Sequence, residues 1–169
     1  MVTAVDLARA RRVAAAVLDP ELPVLTLADL GVLRAVVPDA DGGVLVTITP
    51  TYSGCPAMDT MRADLVSDLA AAGFDRVRVR TVLSPAWTTD WITEDGRRKL
   101  AEYGVAPPGP APRHSGPVPL TLAPPTPTVR CPHCGSTDTE LLSQFGATAC
   151  KALRRCRSCV EPFEHFKEL

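Results

Sequence analysis

The chain has 169 residues, 46% of them apolar and 22% charged, with a formal net charge of −1. That length supports one ordinary domain, or one of about 100 residues with a small stapled companion. The near-zero charge excludes a global field that would draw the chain to nucleic acid or to an anionic membrane.

In chain order, Thr3 followed by Asp6 reads as a capping box, and Leu7, Ala10, Ala14, Val17 and Leu18 then recur on one face of a first helix that stops before Pro20. The same stretch carries Asp6, Arg9, Arg11 and Arg12 and no long apolar run. It therefore predicts neither export nor membrane insertion, and a cytoplasmic protein. The segment 19-DPELPVLTLADLG-31 is a poor sequence for any regular element and reads as a loop that places carboxylates. Asp19 and Glu21 would donate to a metal, hold a water, or cap the end of the first helix, and the local pattern favours the cap.

Residues 32–37 and 44–49 read as strands joined by 38-PDADGG-43, whose Asp and Gly residues supply hairpin chemistry. Val44, Val46 and Ile48 share one face of the second strand. Leu45, Thr47 and Thr49 share the other, which turns polar toward Cys55. Pro56 suits the first turn of a second helix, with Met58, Met61, Leu65 and Leu69 as its buried stripe and Gly73 as its stop. The segment 76-RVRVRTVL-83 alternates like a half-covered strand, its arginines forming a solvated face. Trp87 and Trp91 read as a local core cluster. Thr93 caps a short third helix with its acids first and its bases later, ending at Gly104. The order α-β-β-α-β-α predicts a two-layer α+β domain with a small mixed sheet.

Six cysteines without an export signal read as metal ligands or working thiols in a reducing compartment. Cys55 stands alone, between Gly54 and Pro56, where a strand gives way to a helix. A thiol there lies near unpaired amide N–H groups and the positive end of the helix dipole, which favours the thiolate; the alternative is a small buried hydrophobe. With Thr49 and Thr51 at the strand end, the site offers a nucleophilic sulfur among hydroxyl donors. Use of Cys55 as a thiol enzyme lacks a base, since His114, His133 and His165 all lie in the linker or tail.

From 107 to 127 there are nine prolines, a semi-rigid linker dividing a front domain (1–106) from a tail (129–169) across residues 107–128. The tail is too small to rely on an apolar core. It has a staple instead. Cys131, Cys134, Cys156 and Cys159 form two CxxC knuckles with 21 residues between them, close to a four-cysteine zinc ribbon. Cys150 would substitute for one of these or remain beside Lys151; His133 and His165 are weaker candidates because both knuckles are complete. Iron in the same tetrahedron is chemically possible, and zinc is preferred because the second knuckle lacks the glycine that follows the first. Such a closed site is structural, so the tail is built for contact. Lys151, Arg154, Arg155 and Arg157 form a basic run that would touch phosphates or an acidic protein surface. Seven basic against five acidic residues from 106 onward is too mild a bias for nucleic-acid binding.

The segments DPELPVLTLADLG, VTITPTYSGCPAM and VRTVLSPAWTTDWITEDGRRKLAEYGVAPP resemble the MIP18 family, also called DUF59, over nearly all of residues 1–106. The resemblance implies iron–sulfur cluster assembly or delivery, with Asp19, Glu21, Thr49, Thr51 and Cys55 gathered at one pocket. SPAWTTDWI, the proline-rich linker and the cysteine tail together resemble the D-subunit family of the multicomponent phenylacetyl-CoA epoxidase over essentially the whole chain. This implies phenylacetate catabolism and an accessory, non-catalytic subunit, with a transient iron or iron–sulfur cluster at Cys55. It also implies the diiron oxygenase and the iron–sulfur flavin reductase as partners. A single such cysteine per chain favours labile holding across a homodimer. The competing expectation is an interaction subunit of that complex with no metal transfer.

Overall fold

The computed structural model describes residues 6–52, 54–111 and 127–169. The chain divides into two compact units, Met1–Trp87 with Trp91–Gly96, and Thr88–Asp90 with Arg97–Leu169. Thr3, and residues 112–126 of the proline-rich run with His114, lie outside the described residues.

In the first unit, helix α1 (Leu7–Ala16) is capped by Asp6, whose Oδ1 accepts the Arg9 N–H at 2.9 Å. Ala10, Ala14 and Val17 are buried, but Leu18 is half exposed. The reason is local: Val17 already has extended backbone, and Leu18 bridges to Thr26 at the mouth of the next loop instead of continuing the helix face. Strands β1 (Leu33–Pro38) and β2 (Val44–Ile48) pair antiparallel through the expected hairpin, with a register shift between Leu33 and Ala35.

Helix α2 (Met58–Ala71) buries Met61, Leu65 and Leu69, while Met58, expected in the same stripe, is only half buried at the first helical position. Burying a leucine this fully stabilises by roughly 1.5–3 kcal/mol. Gly73, at φ 88°, closes the helix through a left-handed turn, with Phe74 N–H donating to Leu69 O at 3.0 Å. Strand β3 (Val77–Thr81) then lies parallel to β2, giving the sheet order β1-β2-β3.

Arg62 of α2 reaches Thr81 Oγ1 at 2.7 Å, which puts this helix on the face shared by Val44, Val46 and Ile48. Helix α1 packs against α2 and β1, so both helices cover one face. The opposite face carries the exposed Arg78 and Arg80. These arginines also clasp the sheet: Arg78 pairs with Asp39 and Asp41 of the hairpin turn at 3.2 and 2.9 Å, and Arg80 donates to Thr47 Oγ1 at 3.4 Å. Trp87 is buried with its indole N–H on Leu30 O at 2.9 Å, while Trp91 is half buried beneath the Arg34 guanidinium, 3.5 Å from the ring centroid.

Helix α3 (Glu94–Glu102) begins under the expected Thr93 cap, whose Oγ1 accepts the Gly96 N–H at 3.0 Å. Its last turns belong to the second unit. There β4 (Val105–Ala106), β5 (Thr139–Ser143), β6 (Lys151–Cys156) and β7 (Pro162–Phe166) form a sheet of order β4-β7-β6-β5. Strand β4 runs parallel to β7 and the remaining pairs are antiparallel. The start of the proline-rich run is tied into this unit. Arg97 donates to Pro108 O at 2.6 Å, and Gly109 N–H donates to Glu168 Oε1 at 2.9 Å. The apolar core here is small: Ala106, Val129 and Phe163 with two of the cysteines. Among the described residues no helix is long and apolar enough to cross a membrane.

Candidate metal centre and thiol loop

Two turns bring four sulfurs together. In the first, Gly135 N–H donates to Cys131 O and Cys131 N–H to Ser136 O, both at 2.9 Å. In the second, Cys156 N–H donates to Glu161 O at 3.0 Å and Cys159 N–H points at Cys156 Sγ at 3.5 Å. The turns are locked to each other by Ser136 and Ser158, whose hydroxyls lie 2.8 Å apart. Gly135 has φ 76°, and at the matching place in the second turn Val160 has φ 66°. The second knuckle thus adopts the same left-handed geometry without the glycine, with strain on a β-branched residue.

The Sγ atoms of Cys131, Cys134, Cys156 and Cys159 all lie within 4.8 Å of one another. Cys131 and Cys156 are buried, Cys159 is half buried and Cys134 is exposed. The cluster divides its protons unevenly. The Cys159 amide, against the pull of burial, lowers Cys156 to about 6. For Cys159 the Glu161 backbone contact acts downward, but burial and the neighbouring sulfurs outweigh it and push the thiol up to about 12. Sulfurs this close cannot all ionise unless a cation sits among them. A set of four thiolates fits a thiophilic tetrahedral ion.

Cys150 is outside this group: it is buried, with its Sγ 3.0 Å from Thr148 Oγ1. His133 is exposed, and His165 is buried with Nε2 3.5 Å from Glu168 Oε1. The basic run expected as a contact patch is largely engaged within the unit. Lys151 is buried and paired with Glu164 at 2.6 Å, and Arg154 is buried. Arg155 and Arg157 both bond Glu140, at 2.8 and 3.1 Å. Alternation along β6 accounts for Arg154, which shares the buried face of Ala152 and Cys156, and for the exposed Arg155, whereas Lys151 lies on the face of Arg155 and is buried through its pairing with Glu164.

In the first unit, Cys55 is half buried and lies two residues before Ala57, the N-cap of α2. The helix therefore starts later than the sequence implies. Cys55 N–H donates to Tyr52 O at 3.3 Å and Cys55 O accepts from Met58 N–H at 3.4 Å, so a turn intervenes. Ala57 supplies no side-chain cap. Thr49 is buried, its N–H donates to Val32 O at 2.9 Å, and its hydroxyl has no hydrogen-bond partner among the described residues. Thr51 is half buried in the loop that follows.

Asp19 is buried, and its Oδ1 accepts the N–H groups of Glu21 and Leu22 at 2.9 and 2.8 Å. It shapes the loop after α1, while Glu21 is half buried. Among the described residues the four tail cysteines form the one group of three or more His, Cys, Asp or Glu side chains with convergent ligand atoms. Cys55, Asp19 and Glu21 do not assemble into such a group. The orphaned Thr49 hydroxyl and the buried Arg154 are features that residue type alone does not signal.

Comparison with known proteins adds a family to this geometry. Residues 8–82 match the family described as "Iron-sulfur cluster assembly protein", and residues 115–167 match the "PaaD zinc beta ribbon domain". A protein of Escherichia coli (strain K12), provisionally named as the D-type component of 1,2-phenylacetyl-CoA epoxidase, is 50% identical over 149 residues, 88% of this chain and 85% of the relative. The chain belongs to the PaaD family. A shorter relative, the "Fe-S protein maturation auxiliary factor" of Porphyromonas gingivalis (strain ATCC BAA-308 / W83), is 35% identical over 85 residues, half of this chain and 80% of the relative. The crystal structure of a DUF59 domain from Bacillus anthracis shares the fold with a TM-score of 0.51 at 24% identity, over 56% of this chain and 90% of that one.

Proposed function

We propose that this protein is a cytoplasmic accessory subunit of a 1,2-phenylacetyl-CoA epoxidase system in phenylacetate breakdown, and that it assists metal loading of its partners rather than catalysing the epoxidation. In this reading Cys55 takes up iron or an iron–sulfur cluster as cargo and releases it to the diiron oxygenase or the iron–sulfur flavin reductase. Zinc on Cys131, Cys134, Cys156 and Cys159 fixes the fold of the ribbon. The observation that carries the proposal is an elimination among the six cysteines. Four form the closed cluster and Cys150 is buried, which leaves Cys55 as a half-exposed thiol ahead of a helix without a side-chain cap.

A helix start that lacks a side-chain cap favours an anionic sulfur beside it. Asp19 holds the loop that carries Glu21, Glu21 supplies a carboxylate, and Thr49 and Thr51 supply hydroxyls. A single sulfur per chain binds cargo loosely, and bridging between two copies is the natural way to complete its ligation. Loose binding suits delivery. The names of the two sequence relatives, a component of the epoxidase and a maturation factor, support the same reading.

The test is anaerobic reconstitution of the full chain with iron and sulfide, with zinc counted separately. Wild type should gain iron beyond its zinc, whereas Cys55→Ser should keep the zinc and gain none. Equal iron uptake by both would rule out Cys55 as the cargo site. A purely structural subunit is the second reading, favoured because no convergent ligand group among the described residues includes Cys55. It predicts that oxygenase and reductase produced with Cys55→Ser reach full metal content and activity.

A further inference from the structure

The second unit buries a charge whose counter-ion is missing from its own carboxylates. Arg154 is 2% exposed. Its guanidinium donates to Thr139 Oγ1 at 3.3 Å, its Nε has no hydrogen-bond partner, and among the described residues no carboxylate forms a salt bridge with it. Glu168 acts on it only at longer range, and is itself bound to Gly109 N–H and set against His165. Arginine is almost never buried without an ionic partner, because desolvating the guanidinium costs several kcal/mol, on the order of the whole stability of a small unit.

The placement of this charge identifies what faces it. Arg154 and Cys156 are two apart on β6, so their side chains leave the same face of the sheet. Thr139, the residue that receives the guanidinium, is paired directly across from Cys156. Phe163, paired across from Arg154, packs in the cluster that contains Cys131 and Cys156. The arginine therefore sits on the sulfur side of the sheet. Four thiolates around a divalent ion leave a centre with a net charge of −2, whereas four protonated thiols would leave none.

We infer that Arg154 is the buried counter-charge of the metal–thiolate centre, a positioning residue that offsets the negative charge of the loaded site and so tightens metal binding without touching the ion. This rests on the cluster being a divalent-metal site. The coupling is reciprocal: the loaded centre supplies the anion that Arg154 lacks, and Arg154 offsets charge that the buried sulfurs cannot shed into water.

The test measures zinc affinity of the full-length protein by competition with a chromophoric chelator. Wild type should bind one zinc per chain. Arg154→Met should bind the same amount roughly 10–100-fold more weakly, in the range typical for groups around a metal site. Arg154→Lys, which keeps the charge, should recover most of the loss. The thiolate-to-metal absorption of the cobalt-loaded protein should move in Arg154→Met and stay near wild type in Arg154→Lys. If Arg154→Met does not fold with zinc, Arg154→Gln makes the same comparison with a polar neutral side chain. Wild-type affinity in Met or Gln, or equal weakening in Met and Lys, would overturn the inference and leave the metal site standing. A wild-type chain that takes up no zinc would instead defeat the reading beneath it.

Discussion

Thr49→Val replaces a buried hydroxyl with a methyl group of nearly the same size. The hydroxyl-bearing residue is 1% exposed, and its Oγ1 has no hydrogen-bond partner among the described residues. An uncompensated hydroxyl of this kind costs about 1–3 kcal/mol, and the added methyl contributes further favourable burial of about 0.8 kcal/mol. Thr49→Val should therefore stabilise the first unit by about 1–2 kcal/mol after some allowance for imperfect fit, or roughly 4–8 °C in Tm per kcal/mol for a unit of this size. The assay is selective, because both tryptophans of the chain, Trp87 and Trp91, belong to that unit. Urea unfolding followed by tryptophan fluorescence thus reports its transition apart from the ribbon. A lower midpoint at unchanged slope would refute the reasoning, since it would mean that the hydroxyl is compensated in the folded state. If the residue serves the Cys55 loop, the stabilised variant should lose iron uptake in the reconstitution assay, so that stability and function move in opposite directions.

Cysteine substitutions should separate the two buried environments of the second unit. Cys156→Ala should abolish stoichiometric zinc, measured by elemental analysis, while Cys150→Ala should retain it, because Cys150 lies outside the four-sulfur group. Loss of zinc in Cys150→Ala would reassign a ligand. Val160→Gly tests the strain in the second knuckle: a left-handed conformation costs a non-glycine residue roughly 1–2 kcal/mol, and Val160 is 67% exposed, so little packing is lost. Glycine's greater freedom in the unfolded chain offsets about 0.5–1 kcal/mol of that. Thermal unfolding of the zinc-loaded ribbon should move upward by no more than a few degrees, and a clear decrease would show that the valine side chain stabilises the turn.

The elements with a strong repeating pattern are legible in the sequence. The stripe Met61, Leu65 and Leu69 and the Asp–Gly hairpin announce α2 and the β1–β2 pair because period and turn chemistry are local properties. The knuckles are legible because ligand spacing is a covalent constraint. Strand β4 is not, since two residues carry no period and their pairing with β7 is decided by partners some 60 positions away. Leu18 shows the limit of extending a face past its helix: Val17 leaves helical backbone, and the next side chain turns outward. The start of α2 is displaced for a related reason, as the turn from Cys55 to Met58 intervenes before helical geometry begins. The composition of the basic run points to a surface, yet the alternation of β6 assigns Arg154 to the same face as Cys156. Period is the better guide there, because the pleat and not the charge decides which way a strand residue faces.

The two sulfur environments differ in a way that bears on how cargo could ever reach Cys55. Four convergent thiolates hold a thiophilic ion far more tightly than one thiolate does, and they accept iron in the same tetrahedron as zinc. An empty ribbon would therefore capture iron before the lone thiol could. Iron at Cys55 requires the ribbon to be filled first with an ion that does not exchange, and zinc meets that need because affinity in a closed site rises from iron to zinc along the divalent series. Order of addition should expose this: iron supplied before zinc should be bound by the tail cysteines and survive Cys55→Ser, while iron supplied after zinc should depend on Cys55. If Cys55→Ser lowers uptake equally in both orders, the two sites do not compete, and the separation of a retained ion from a passing one fails.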